Sequence, residues 1–570
     1  MSIIGFKEAN CKNCYKCIRS CSVKSIAFKN EQAEILEKDC ILCGHCFLVC
    51  PQNAKYIDSD LEKVKGYIKN GEKVFATLAP SFVSTFEGAN LGKMSAALKK
   101  LGFTGVEETS IGAAQVSAEF GALMDEQKME NIITTCCPTL VMLVEKYYPE
   151  LTKYLAPVVS PMMAHAKMMK EIYGNRIKVV FIGPCISKKA ECADVTNDNV
   201  LNGVLMFDEL FEWLEEEGID LDEMDKDGKE MQATINRMYP VPGGILRTIA
   251  KESRQKYKCV AIDGIERCKE ILDSLKSGEL QGYFLEMNAC AGGCINGPGI
   301  RNHNMPFLSA KDAVVKSVKN RTLKAAPMSE NVKVNFRTKY FDRSDNKKMP
   351  SEEQLQEIYR KMGKTSPSKF LNCGGCGYPT CKDKAIAVFQ GKADIRMCLP
   401  YMREKAESIS NIVIDNTPNA IVILDHELNI VEYNPEAARL FDLNSDNYIG
   451  MPVFMAIPCS DVVLAQQSGE DIIDKKVFYG EQNMTAIQSI IHIKENNMYM
   501  LLIKDITEEE KKEQQEEEMR NETVSLAQKV IDKQMRVAQE IASLLGETTA
   551  ETKTALNKLK KSIMREEDGK

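Results

Sequence analysis

What this sequence lacks closes several classes of function. No stretch approaches the roughly 18 consecutive apolar residues of a membrane span, so no membrane partner is expected. Basic residues number 74 against 81 acidic ones, for a formal charge of -7. That balance argues against nucleic acid as a partner, because a phosphate-binding face needs a basic excess. Met1 to Asn10 hold no apolar segment of the signal-peptide kind, and the expected location is cytoplasmic. The last histidine is His492, so the tail carries no phospho-accepting histidine, and no nucleotide-binding loop follows it. Any signal is expected to pass to a separate output protein.

Cysteine is what the sequence has in quantity, with 21 among 570 residues. In a reducing compartment such thiols serve as metal ligands rather than disulfides. All but Cys192, Cys259, Cys268 and Cys459 fall into motifs, and those four read as small apolar side chains. The length and a hydrophobic content of 44% predict several folded domains.

Cys11, Cys14, Cys17 and Cys21 are followed by Cys40, Cys43, Cys46 and Cys50, then Pro51. Three thiolates on a tight loop cap one face of a cubane, and the fourth crosses to the other cluster. The expected sets are Cys11, Cys14, Cys17 and Cys50 on one 4Fe–4S cluster, and Cys40, Cys43, Cys46 and Cys21 on a second. Zinc, with ligands in widely separated pairs, has no use for this crossing. Ser22 departs from the usual proline. The run resembles a bacterial two-cluster ferredoxin, which implies an electron carrier over residues 1–60.

From 70 to 310 strand-like and helical stretches alternate, which predicts an α/β body. Strands are expected at Lys73 to Leu78, Asn131 to Thr135, Lys178 to Ile182 and Lys258 to Asp263, with a helix at Leu140 to Tyr147. Chemistry-bearing residues sit where strands end. Thr134-Thr135-Cys136-Cys137-Pro138 is one such loop, Gly183-Pro184-Cys185 through Lys188 to Glu191 a second, and Asn288-Ala289-Cys290 through Cys294 a third. Four separated thiolates beside glycine and proline suit one buried cluster. Of the adjacent pair, one thiol can ligate while the other stays free as a proton donor.

These loops resemble the three signature loops of FeFe hydrogenases, in the same order. The resemblance implies an H-cluster, in which a cubane joins a diiron unit bearing CO, cyanide and a dithiolate amine. By position it assigns Cys137, Cys185, Cys290 and Cys294 as ligands, Cys294 bridging the two parts. Cys136 would relay protons, Lys188 hold a cyanide, and Glu191 support that lysine. Ala79-Pro80-Ser81 and Ser160-Pro161 resemble pocket walls, and Gly183 and Asn288 occupy packing positions against the diiron unit. This chain departs from the family at Leu140, Gly183, Asn288 and Met162, which replace tryptophan, two methionines and glutamine. Of two glutamates in the family's proton path, Val116 replaces one and Glu119 remains. A path short of one carboxylate implies slower turnover.

Cys373, Cys376 and Cys381 lie in a glycine-rich loop, and Cys398 follows a helix-like stretch. This resembles a small 4Fe–4S domain, expected over 352–402, and structural zinc is the alternative. The charged connector from Ala326 to Ser351 reads as a partly mobile linker. Over 406–507, strands at Ala420 to Asp425, Ile430 to Tyr433, Ser489 to Lys494 and Met498 to Ile503 surround a helix capped by Asn434. That order resembles a PAS domain with an Asp505-Ile506-Thr507 exit. Residues 508–565 read as helical. Val524, Ala527, Ile531, Met535, Ala538, Ala542 and Leu545 form a narrow seam, which predicts a homodimer. Gly546 is expected to end that helix, and Thr548 with Glu551 to cap another.

The fold class expected is multidomain α/β, with ferredoxin-like, hydrogenase, 4Fe–4S and PAS domains and a helical tail. The function expected is a sensory FeFe hydrogenase with low activity, acting on molecular hydrogen and protons through three 4Fe–4S clusters and the H-cluster. The alternatives are a metabolic hydrogenase paired with ferredoxin and a non-catalytic iron–sulfur redox sensor.

Overall fold

The computed structural model describes residues 3–564 except 30–31, 195–198, 225–233, 301–304, 319–333, 346 and 444–447. The chain forms two compact units, Met1–Met402 and Arg403–Lys570.

Two parallel sheets frame the first unit. One has four strands in the order Gly105–Glu108, Val74–Leu78, Lys178–Gly183 and Gly203–Met206. The other has three, Lys258–Asp263, Tyr283–Asn288 and Ile132–Ile133. Val179, Val180 and Ile182 are fully buried, as befits a parallel sheet covered on both faces. The strand expected at Asn131 to Thr135 is shorter because its last two residues turn their hydroxyls elsewhere. Thr135 Oγ1 donates to the Val158 carbonyl at 2.7 Å, and Thr134 Oγ1 accepts from the Met287 amide at 3.2 Å. Helices Ser110–Glu126 and Pro161–Tyr173 pack so closely that a Cβ on Gly112 would lie 2.3 Å from the Pro161 carbonyl.

The cysteine-rich first segment adds two small antiparallel pairs, Ile4–Phe6 with Lys55–Ile57 and Ile26–Lys29 with Gln32–Ile35. A continuous apolar core joins Ile18 and Cys21 of this segment to the sheet residues Val74 and Val180 and to Tyr378 and Met397. Helices Glu352–Lys361 and Cys381–Phe389, each with a capping box, enclose a smaller core of Leu355, Tyr359, Met362 and Ala385.

The connector expected to be mobile is partly docked. Residues 326–333 of it lie outside the described residues, but beyond them the backbone is tied down. Phe336 is buried, Val159 N–H donates to the Phe336 carbonyl at 2.9 Å, and Tyr340 OH donates to the Val158 carbonyl at 2.8 Å. One aromatic anchor and a set of backbone hydrogen bonds outweigh the polar composition.

The second unit holds a five-stranded antiparallel sheet in the order Ile430–Tyr433, Ala420–Leu424, Met498–Asp505, Met484–Ile493 and Ile472–Tyr479. Asn434 caps the helix Pro435–Phe441 as expected, its Oδ1 accepting from the Ala437 amide at 3.0 Å. The strand Ile472–Tyr479 is an addition to the strands expected from sequence. The tail is one helix, Thr507–Met564, and it runs through Gly546. A single interior glycine costs a helix about 1 kcal/mol, too little to stop one this long. Thr548 Oγ1 donates back to the Leu544 carbonyl at 2.8 Å, so it does not cap.

Candidate active site

The three cysteine loops meet at the carboxyl ends of the two sheets, where open α/β sheets place their ligands. Pro138 starts the helix Pro138–Tyr147, with Cys137 as its N-cap, so this thiol sits on a fixed corner. Cys185 follows the strand Lys178–Gly183, and Cys290 follows Tyr283–Asn288. Gly293 has a φ of +84°, and a Cβ there would lie 2.3 Å from the Pro240 carbonyl, so only glycine lets the last loop close.

Between these loops lies a mainly apolar cavity of about 100 Å³. Cys136, Cys137, Cys185, Cys290 and Cys294 all line it, as do Lys188 and Asn288. Pro80, Ser81, Pro161 and Met162 form other parts of its wall. Burial pushes up the Cys136, Cys137, Cys290 and Cys294 thiols, each raised further by neighbouring thiols or carboxylates. They keep their protons until a cationic group draws off the charge. Lys188 Nζ lies 2.6 Å from Glu191 Oε2 and 3.4 Å from the Cys136 carbonyl oxygen. Burial disfavours its charge, but Glu191 and Cys185 outweigh that and raise it.

Three expected residues sit apart from the cavity wall, Glu191 meeting it only through Lys188. Gly183 packs beneath it, where a Cβ would lie 2.6 Å from the Phe181 ring and 2.9 Å from Ala79 Cβ. Glu119 pairs with Arg337 at 2.6 Å, its side chain 27% exposed, while Val116 is fully buried. A carboxylate held in an ion pair with Arg337 on the outer part of the helix does not by itself make a path.

The donor set fits an iron–sulfur group. Four thiols arrive on three rigid loops, and Ser81 Oγ is buried with no hydrogen-bond partner in the protein. An orphaned hydroxyl on an apolar wall suits a group that brings its own acceptor atoms. Among the described residues, no three His, Cys, Asp or Glu side chains gather closely enough for a single ion.

Residues 72–298 match the family described as iron-only hydrogenase large subunit, C-terminal domain. Over that stretch the chain is similar to an iron-only hydrogenase domain. Residues 371–400 match a putative Fe–S cluster family, and residues 412–479 the PAS fold. The NADP-reducing hydrogenase subunit HndD of Solidesulfovibrio fructosivorans is 25% identical over 46% of this chain and 56% of its own length. The periplasmic [Fe] hydrogenase large subunit of Nitratidesulfovibrio vulgaris is 26% identical over 42% of this chain and 69% of its own. A cytosolic Fe–S cluster assembly factor, narfl, of Xenopus tropicalis is 21% identical over 48% of this chain and 73% of its own. This chain thus spans between about half and three quarters of the length of these relatives. A solved FeFe hydrogenase variant from Chlamydomonas reinhardtii superposes at a TM-score of 0.42, with 16% identity, over 50% of this chain and all of that one.

Ahead of the hydrogenase domain, Cys21 lies within electrostatic reach of Cys40, Cys43 and Cys46, and Cys17 within reach of Cys11 and Cys14. Cys21, Cys40 and Cys50 each accept a backbone N–H at 3.3–3.4 Å, from Ser25, Leu42 and Ala54. Gly44, with a φ of +72°, is pressed against Pro298 and Ile186 beside the hydrogenase loops. Behind the hydrogenase domain, Cys373, Cys376, Cys381 and Cys398 line a small cavity of about 20 Å³ with the buried Lys384. Burial lowers the Lys384 ammonium to about 8, against the pull of Cys376 and Cys398. Of the four cysteines outside the motifs, Cys268 and Cys459 are buried, and Cys192 and Cys259 only half so.

Sequence reasoning misses Glu286. It is fully buried beside the cavity, accepts from the Gly243 and Leu246 amides at 2.8 and 2.9 Å, and is pushed by burial up to about 7. The available signal is a lone carboxylate inside an otherwise apolar strand. Tyr239, also on the cavity wall, is missed because its partner Ser117, which also holds Thr248, lies 122 residues away in sequence.

Proposed function

We propose that this protein is a sensory FeFe hydrogenase, with slow hydrogen turnover coupled through iron–sulfur clusters to a PAS module. The observation that carries the reading is the convergence of five cysteines and a buried Lys188–Glu191 pair on one apolar cavity, in a chain that also carries a PAS fold. The proposed division is an electron carrier over 1–60, the hydrogenase domain over 70–310, a 4Fe–4S domain over 352–402, PAS over 406–507 and a dimerising helix over 508–565.

Cys137, Cys185, Cys290 and Cys294 would hold the H-cluster. When bound, it supplies the metal chemistry that splits or forms hydrogen. Lys188, kept charged by Glu191, presents a cation to the cavity. Ser81 offers an unspent hydroxyl. Cys136 lies at the wall as a thiol that burial keeps protonated, ready to hold a proton at Sγ. Glu286, titrating near neutrality, is suited to exchange it. The apolar remainder of the wall keeps water out. The loss of a carboxylate at Val116 supports slow rather than fast turnover.

The test is infrared spectroscopy of the matured protein under argon and under hydrogen. Bands from iron-bound CO and cyanide that shift with hydrogen are expected. A protein with its full iron content but no such bands would sink the proposal. It would favour a second reading, a non-catalytic iron–sulfur protein, which the likeness to the narfl assembly factor supports. Rapid turnover unaffected by loss of the second unit would instead favour a metabolic hydrogenase working with ferredoxin.

A further inference from the structure

The helix Ser110–Glu126 offers no unbroken line of proton-carrying groups along its length, but the cavity wall at its N-cap, Thr109, does. Thr109 lines the cavity. Its Oγ1 lies 2.8 Å from Thr77 Oγ1, which lies 2.8 Å from His165 Nδ1. On the far side of the ring, Nε2 lies 3.0 Å from Glu107 Oε2. Tyr173 OH donates to Glu107 Oε1 at 2.5 Å. Thr77 and His165 are fully buried and Thr109 nearly so, whereas the Glu107 side chain is 22% exposed. Four groups therefore run from cavity wall to surface with a hydrogen bond at every link.

The chain also has a direction. Burial opposes the charge on Glu107, but the hydrogen bonds from His165 and Tyr173 hold its carboxyl below the usual range. An ionised carboxylate only accepts, so a neutral His165 ring donates from Nε2 and accepts at Nδ1. Thr77 then donates to Nδ1, and Thr109 donates to Thr77. Every donor points outward.

We propose that Thr109, Thr77, His165 and Glu107 form a proton exit from the hydrogenase cavity to solvent. The inference rests on the hydrogenase reading. A proton arriving on Thr109 Oγ1 releases that hydroxyl's own proton to Thr77, Thr77's to Nδ1, and the Nε2 proton to Glu107, which passes it to water. One proton enters and one leaves, only O–H and N–H bonds break and form, and no electron moves. The hydroxyls and the ring must reorient before the next passage, which suits slow turnover. His165 and the two threonines act as relay residues.

The test compares the parent holoprotein with Glu107→Gln, Thr77→Val and Thr77→Ser by infrared difference spectroscopy, hydrogen against argon, in H2O and D2O. Hydrogen is expected to bring up a carboxylate-stretch difference band, as the partners of Glu107 reorient, that is sensitive to D2O and absent from Glu107→Gln. Thr77→Val keeps Glu107 but cuts the chain, so the band should vanish there too, with hydrogen oxidation slowed about ten-fold. Thr77→Ser restores the hydroxyl and should restore both. If His165 is only a satisfied core residue, Thr77→Val leaves the Glu107 band in place while the CO and cyanide bands still respond to hydrogen, which overturns the relay alone. If the parent shows no CO or cyanide bands, the relay has nothing to serve and falls together with the hydrogenase reading.

Discussion

The cavity at the strand ends and the Cys373–Cys398 cage each gather four candidate ligand thiols, yet the protein builds them in opposite ways. The cavity draws its thiols from three loops spread over some 160 positions, and its walls belong to large shared cores. The cage takes three of four thiols from one loop, has Cys373 exposed and rests partly on a small local core, with Cys376 and Tyr378 reaching the large one. A site that excludes water needs support from many elements, because each wall must be rigid and apolar at once. A site that only passes electrons needs ligands and a nearby surface. The contrast predicts that damage at the cage stays local, whereas damage at the cavity removes function.

The most severe expected effect is that of Cys185→Ser, which should abolish hydrogen-dependent infrared changes entirely. Cys381→Ser should cost about four irons per chain while leaving iron-bound CO and cyanide bands unchanged. If the bands disappear as well, the two sites are not separable and the contrast fails. Next comes the cavity's outer support. Arg237 Nε lies 2.8 Å from Glu108 Oε1, with both side chains 5% exposed or less. Leaving a buried partner unpaired costs about 3–5 kcal/mol, so Glu108→Ala should lower the denaturation midpoint far more than Lys361→Ala in the exposed pair with Glu357. Similar losses would show that the cavity wall is no more tightly held than the surface.

Glu286 gives a pH test of cavity burial. Its folded value of about 7 lies above the ordinary 4.5, so the folded state binds the extra proton between those values. Stability contributed at low pH is therefore lost as pH rises from about 4.5 to 7, by roughly 3 kcal/mol at most. Glu286→Gln should flatten that part of the stability profile, and an unchanged slope would mean the carboxyl is not buried as described. The smallest effect belongs to the cage. Lys384→Met removes a cation beside its thiols and should shift that cluster a few tens of mV more negative, read by redox titration. No shift would show that the lysine is neutral there.

Motif spacing makes the clustered cysteines legible in the sequence, because cluster chemistry demands particular residue types at short intervals, whereas Lys188 and Glu191 are picked out only by the resemblance to FeFe-hydrogenase loops. The strands at Val74–Leu78 and Lys178–Gly183 are legible from their mainly apolar runs. Thr77, Thr109 and His165 are not, since a buried hydroxyl or imidazole carries no periodic signal until its partner is known. The docked stretch around Phe336 and Tyr340 escapes for the same reason. Its composition is that of a linker, and its partners, Val158 and Val159, lie about 180 residues away. Gly546 weighs less than its residue type suggests, because one local penalty does not end a helix of 58 residues.

By itself the sequence determined which chemistry is available, since thiol spacing and strand-end loops are local properties written within a few residues. Only the tertiary structure decided which walls those thiols share, where Glu286 sits and how Glu107, His165, Thr77 and Thr109 align. Burial and hydrogen-bond partnership depend on what distant segments bring alongside, and no local pattern encodes that.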